Sequence, residues 1–295
     1  MASHKDGYFL PSESYYPFVG SIILFIIAFG GANWLNENIM VNGKVTMLAG
    51  VFALCVLFFL WFGKVIAESP DYNLHVDGSF RISMSWFIFS EVMFFAAFFG
   101  ALYYVRQLSI PWLSETELLW PGFDGGWPTA GPAGAQAIAP DTHVDVSQHG
   151  EVFSTIGPWG LPLLNTLLLL TSSITCTIAH HAILVNQRKK LIFWLALTVI
   201  LGFVFLFFQA EEYIEAYNAY GLSMGTGVYG STFFMLTGFH GFHVFMGATI
   251  LGIVLFRCIK GHFTPERHFA FEAGAWYWHF VDVVWVGLFI FVYIL

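Results

Sequence analysis

The chain reads as long apolar stretches separated by short polar ones. Seven stretches approach or exceed the roughly 20 residues that a helix rising 1.5 Å per residue needs to cross about 30 Å of hydrocarbon. They are residues 18–35, 46–66, 82–105, 161–184, 191–208, 232–256 and 273–295. Runs such as VFALCVLFFLWF (51–62) do not alternate apolar and polar positions, so barrel strands are excluded. The pattern therefore predicts an all-α integral membrane protein with seven transmembrane helices. The first stretch lacks a following small-residue cleavage site and is soon succeeded by another. It is expected to be a retained span rather than a signal peptide. The connections are short except for residues 109–160, which hold six of the eleven prolines and eight glycines. That segment is expected to be an irregular external loop, partly mobile and lying over the bundle. No internal repeat is evident, so an inverted-repeat transporter has no direct support.

Composition removes the soluble alternative. Fifty-seven per cent of residues are hydrophobic, 10% are charged and the mean hydropathy is +0.70, whereas a soluble domain carries roughly 25% charged residues. The 34 Phe, 12 Tyr and 11 Trp exclude disorder. Only three cysteines, Cys55, Cys176 and Cys258, exclude a disulfide scaffold. The net charge of −8 matters through its placement. Nine of the eleven cations fall on the N-terminal side of the seven spans, and only Lys44 and Arg106 on the other. Ten acids fall on the side opposite the N-terminus. The positive-inside bias then places the N-terminus in the cytoplasm, or on the equivalent inner side of an organelle, and the C-terminus outside. No nucleic-acid partner is expected.

A charged side chain near the bilayer centre costs about 2.5–3.5 kcal/mol on insertion scales, so it is expected to face protein and have a partner. Glu91 sits in WFIFSEVMFFAAFF, nine residues into the third span. His240 and His243 lie in TGFHGFHVFMG, His279 and Asp282 in WYWHFVDVVW, and His180 and His181 close the fourth span. Each internal pair is spaced i, i+3, on one helix face. Histidines converging from facing helices would suit haem or copper, but no Cys-x-x-Cys or His-Glu-x-x-His pattern occurs. The competing readings are proton handling and helix locking through bonds to Glu91, Asp282 or backbone. Glu91 has no cation near it in sequence and is expected to stay un-ionised, because desolvation disfavours charge. Such a carboxyl would react with hydrophobic carbodiimides, as a proton-linked site or as a packing group. At the inner helix ends, Lys64, Arg81, Arg257 and Lys260, with Trp61, Phe87 and His262 beside them, are candidate phospholipid ligands. The ordinary positive-inside bias would place such cations there too. Function classes left open are an accessory subunit, a membrane enzyme with its own His-bound metal, and a proton-coupled secondary transporter using Glu91 and Asp282.

Several stretches together resemble subunit 3 of the haem-copper cytochrome c oxidases, of the aa3 type. They are RISMSWFIFSEVMFF (81–95), LPLLNTLLLLTSS (161–173) followed by AHHA (179–182), QAEEY (209–213), GVYGSTFFMLTGFHGFHV (227–244) and FEAGAWYWHFVDVVWVGLF (271–289). Seven spans, rather than the five common in quinol-oxidase relatives, favour the cytochrome c branch. The resemblance implies one membrane domain over 1–295, with a two-helix N-terminal bundle in 1–81 and a five-helix bundle in 82–295. A V-shaped cleft between them would hold structural phospholipids. It implies a non-catalytic subunit of an enzyme complex, with no cofactor of its own. Haem a, haem a3 and copper would belong to partner subunits. Subunit 1 would be the direct partner, subunit 2 and a small fourth subunit further ones, and cytochrome c the substrate of the complex. The subunit would support aerobic electron transport and the coupled proton pumping by stabilising subunit 1 and the region where protons enter. Glu91 matches the family's carbodiimide-reactive glutamate. His4, Asp6, His75 and Asp77 on the inner side are candidate proton-gathering groups. Where many members carry an arginine before a glutamate, this chain has Ala67-Glu68-Ser69, with Lys64 one turn earlier as the substitute. The long external loop fits a bacterial plasma membrane.

Overall fold

A computed structural model of the chain describes residues 13–36, 42–69, 72, 74–132 and 153–295. The described residues form helices without strands. They are α1 (Tyr16–Leu35), α2 (Gly43–Glu68), α3 (Leu74–Tyr104), α4 (Leu161–Leu184), α5 (Arg188–Asn218), α6 (Gly227–Lys260) and α7 (Phe269–Leu288). Helix α3 continues through a π-helical turn, Val105–Ser109, and a short α-helical piece, Ile110–Ser114, while α7 ends in a π-helical Phe289–Ile294. Among the described residues, seven helices are long and apolar enough to cross a membrane.

The helices outrun the apolar stretches. Helix α3 starts at Leu74 rather than 82, and the Asp77–Arg81 pair, 3.1 Å apart at i, i+4, lies in that added polar turn. Lys64 and Glu68, 3.7 Å apart, do the same for the end of α2. Helix α5 continues to Asn218, well past residue 208, through Gln209 and three glutamates. Hydropathy marks where charge begins, but the backbone bonds of a helix carry on through the rim of the bilayer. Glu91 accordingly lies 17 residues into α3 (91 − 74) rather than nine, roughly 26 Å along it at 1.5 Å per residue.

The long loop likewise starts after Ser114 rather than at 109. Its described parts dock on the start of α6. The Val228 and Tyr229 N–H groups donate to the Ala130 and Thr129 carbonyls, both at 3.2 Å, and Phe153 stacks on Tyr229 at 5.3 Å between ring centroids. Asp141, Asp145 and Glu151 of this loop lie outside the described residues, as do His4, Asp6 and Glu37.

The chain divides into two compact units, residues 1–82 and 83–295. In the first, α1 and α2 pack antiparallel, because Gly20, Gly30 and Gly50 meet Leu57, Met47 and Ile27 respectively. A Cβ on Gly30 would collide with the Met47 backbone, so the two helices approach as closely as small residues permit. In the second unit α4–α7 surround a dense interior. Trp278 and Trp285 of α7 are fully buried, and their indole N–H groups donate to Ser172 Oγ (3.0 Å) and Thr166 Oγ1 (2.9 Å) of α4. This satisfies the one polar atom of each ring inside the bundle. Phe95 of α3 inserts its ring 4.9 Å from His243 and 6.1 Å from Phe280.

Candidate functional site

Glu91 and His243 meet across α3 and α6. Glu91 Oε2 is 2.9 Å from His243 Nε2, although 152 residues separate them. The other nitrogen, Nδ1, lies 2.6 Å from the Phe239 carbonyl one turn back on α6. A carbonyl only accepts, so Nδ1 carries hydrogen and Nε2 faces the carboxyl. A hydrogen bond therefore joins the imidazole and the carboxyl. The rings of Phe94, Phe95, Phe239 and Tyr277 surround His243 or one another at 4.9–6.4 Å. The imidazole side chain is 8% exposed and the carboxylate side chain 23%. The pair is thus anchored inside an aromatic cage while its acid reaches the side of the unit.

The second pair is arranged differently. His279 Nδ1 and Ser173 Oγ share a hydrogen bond of 2.8 Å, and Asp282 Oδ2 is 3.7 Å from the same nitrogen, an ion-pair separation rather than a hydrogen bond. The His279 side chain is 39% exposed, on the seam of α4 and α7, while Asp282 is buried behind it. His240 bonds to no described side chain or backbone group and lies between the rings of Phe205 (5.8 Å) and Trp285 (5.0 Å). Among the described residues no group of three or more His, Cys, Asp or Glu is placed to hold a metal ion.

The model of the family described as cytochrome c oxidase subunit III matches residues 6–124 and 135–295. The chain belongs to that family. Relatives named cytochrome c oxidase subunit 3 agree across nearly the whole length. That of Tetraodon nigroviridis is 38% identical over 296 residues, covering 99% of this chain and 98% of the relative. That of Salmo salar is 39% identical over 297 residues, with the same coverage. The chain is accordingly a non-catalytic membrane subunit of the oxidase, a subunit that holds no metal centre. Nothing in the pairing of Glu91 and Asp282 with separate histidines favours a transporter in which the two act together.

The residues proposed as lipid ligands fall in both units. Trp61 stacks on Tyr16 at 5.9 Å, Lys64 pairs with Glu68, and Arg81 pairs with Asp77, all in the first unit. In the second, Phe87 stacks on Tyr277 at 6.2 Å and His262 is exposed. The Arg257 guanidinium lies 4.5 Å from the Phe263 ring and Lys260 Nζ 4.4 Å from the Phe256 ring. These are cation–π contacts that leave charge at the rim.

Hydropathy reasoning missed the polar interior of the second unit. Glu212, one of the ten acids counted on the side opposite the N-terminus, is 1% exposed, and the Tyr293 hydroxyl donates to its Oε1 at 2.6 Å. Gln209 and Asn165 are buried as well. A signal for them exists in the chain. The buried positions of α5 are Leu191, Leu195, Thr198, Gly202, Phe205, Gln209, Glu212 and Ala216, an alternation of four and three that carries straight through both Gln209 and Glu212.

Proposed function

We propose that this subunit works by lateral contact, resting against the haem-bearing subunit 1 through the face that presents Glu91. It stabilises that partner and the region where protons enter, within a complex that also contains subunit 2 and a small fourth subunit. Electrons come from cytochrome c, and haem a, haem a3 and copper stay in the partners. The observation that carries this reading is the bridged Glu91–His243 pair, whose carboxyl stands at mid-span and reaches the side of the unit. A carboxyl in hydrocarbon favours a protein neighbour over lipid.

Phospholipid headgroups would be held at the inner rim. Arg257, Lys260 and His262 serve in the second unit, and Lys64 and Arg81 with Trp61 in the first. Phe87 offers an aromatic side to an acyl chain. The guanidinium and ammonium seated on Phe263 and Phe256 support this role. The cation asymmetry supports an N-terminus on the inner side. The long outer loop includes residues 125–134, which the family model leaves unmatched, and this favours a bacterial plasma membrane.

Glu91→Gln provides the test. The variant complex should assemble with unchanged haem spectra and lose labelling by a hydrophobic carbodiimide at α3. Labelling that persists in that helix, or loss of a haem signal, would overturn the assignment. Ion flux by the isolated chain in liposomes would replace it with a transporter.

A further inference from the structure

We propose that the interior of the α4–α7 bundle holds a water-binding site framed by Asn165, Gln209, Glu212 and His240. These four side chains, one or two from each of three helices, are 0–5% exposed. Their levels follow from two hydrogen bonds. Thr175 and Thr198, 2.8 Å apart, set the register of the antiparallel helices α4 and α5. Ten residues toward the other end on each, Asn165 comes level with residue 208, beside Gln209. Tyr213 and Thr237, 2.7 Å apart, set α5 against α6 in the same way. Three residues along each, His240 comes level with residue 210. Helix α7 closes the layer. Trp285 packs on His240 and bonds Thr166, the neighbour of Asn165. Tyr293 packs 6.0 Å from Trp285 and donates to Glu212.

Seven polar atoms in this layer make no hydrogen bond to the protein. They are both side-chain polar atoms of Asn165, Gln209 and His240, and Oε2 of Glu212. Gln209 approaches the Glu212 carboxyl and the Tyr293 hydroxyl without reaching hydrogen-bond geometry. Buried polar groups in folded proteins find partners, so seven together on three packed helices identify a ligand site. The mixture of atoms identifies the ligand. Two amide NH2 groups and one imidazole N–H must donate, while a carboxylate oxygen, two amide oxygens and one imidazole nitrogen must accept. A cation would serve the acceptors and leave every donor unpaired. Water serves both. At about three bonds per buried water, seven atoms match roughly two or three molecules. Glu212 then becomes a carboxyl in contact with water inside the bundle, one helical turn from the exposed Glu211 and Glu215 face.

Radiolytic labelling of the intact complex in H2-18O tests this without any substitution. A brief X-ray pulse makes hydroxyl radicals from bound water, and these label the nearest side chains. Trp285 should take up label several-fold above Trp278 and Phe271, which are as buried but lie outside the layer. Labelling no higher than in those two controls would overturn the site. In an assembled complex carrying Asn165→Leu and Gln209→Leu the excess label should fall to the control level, and an unchanged excess would also overturn it. Should the double variant fail to assemble, the contrast within the wild-type chain decides.

Discussion

His243 spends both ring nitrogens inside the second unit, one on the Phe239 carbonyl and one on Glu91. Replacing it with leucine keeps the volume nearly constant and removes the side chain that bonds the carboxyl. The Glu91 side chain is 23% exposed, so the expected cost is about 1 kcal/mol, that of one lost hydrogen bond rather than of a fully buried orphan. It should be read as a lower inactivation temperature of the assembled complex, with haem spectra unchanged. His243→Gln, which can still donate to the carboxyl, should lose less. Equal stability of the leucine variant and the parent would show that Glu91 has its main partner elsewhere. At this scale the sequence discloses the players but not the pairing. Glu91, His243, His279 and Asp282 stand out because each is polar within an apolar run. That Glu91 takes His243 rather than His240 depends on where α3 meets α6, and no local pattern encodes contact between residues 152 apart.

Among the elements, α5, α6 and α7 meet around one ring. A Cβ on Gly202 of α5 would lie 2.6 Å from Trp278 Cη2, and one on Gly247 of α6 would lie 2.9 Å from its Cε3. The indole thus occupies the space that both missing side chains leave. Gly202→Ala should cost about 1–3 kcal/mol by overpacking, since a buried ring has little room to turn. Adding Trp278→Phe to the same chain should recover part of that loss, and thermal inactivation of the single and double variants measures both. Strictly additive losses would place the strain elsewhere. The existence of each helix was legible from hydropathy alone, because length and apolarity suffice to name a span. The ends were not, since charge marks the rim of the bilayer and not the end of the backbone ladder. The inward face of α5 was legible in its three-and-four spacing, whereas a count of charges by side of the membrane says nothing of the helix face that Glu212 takes.

For the molecule as a whole, topology is the property on which orientation, lipid placement and partner contact all depend. The second unit offers a direct measurement of it. Leu118 stands 95% exposed in the segment after α3, and Lys189 is exposed at the start of α5, so the single span α4 lies between them. Cys176 and Cys258 are buried, which leaves only Cys55 to be replaced by serine to silence the background. Leu118→Cys should then react with a membrane-impermeant maleimide added from the outer side. Lys189→Cys should react only when the reagent reaches the inner side. Reaction of both from one side would mean that α4 does not cross, and a reversed pattern would invert the orientation. The expected pattern follows from the placement of cations rather than from composition. Arg188, Lys189 and Lys190 form a cluster at one end of α5, and Lys and Arg in short loops bias which side is kept inside, whereas the acids at the other end, Glu211 and Glu215, contribute little. If cations stay on the side of synthesis, as the positive-inside bias expects, α5 takes the direction proposed above, and short connections carry it to α4 and α6 on either side.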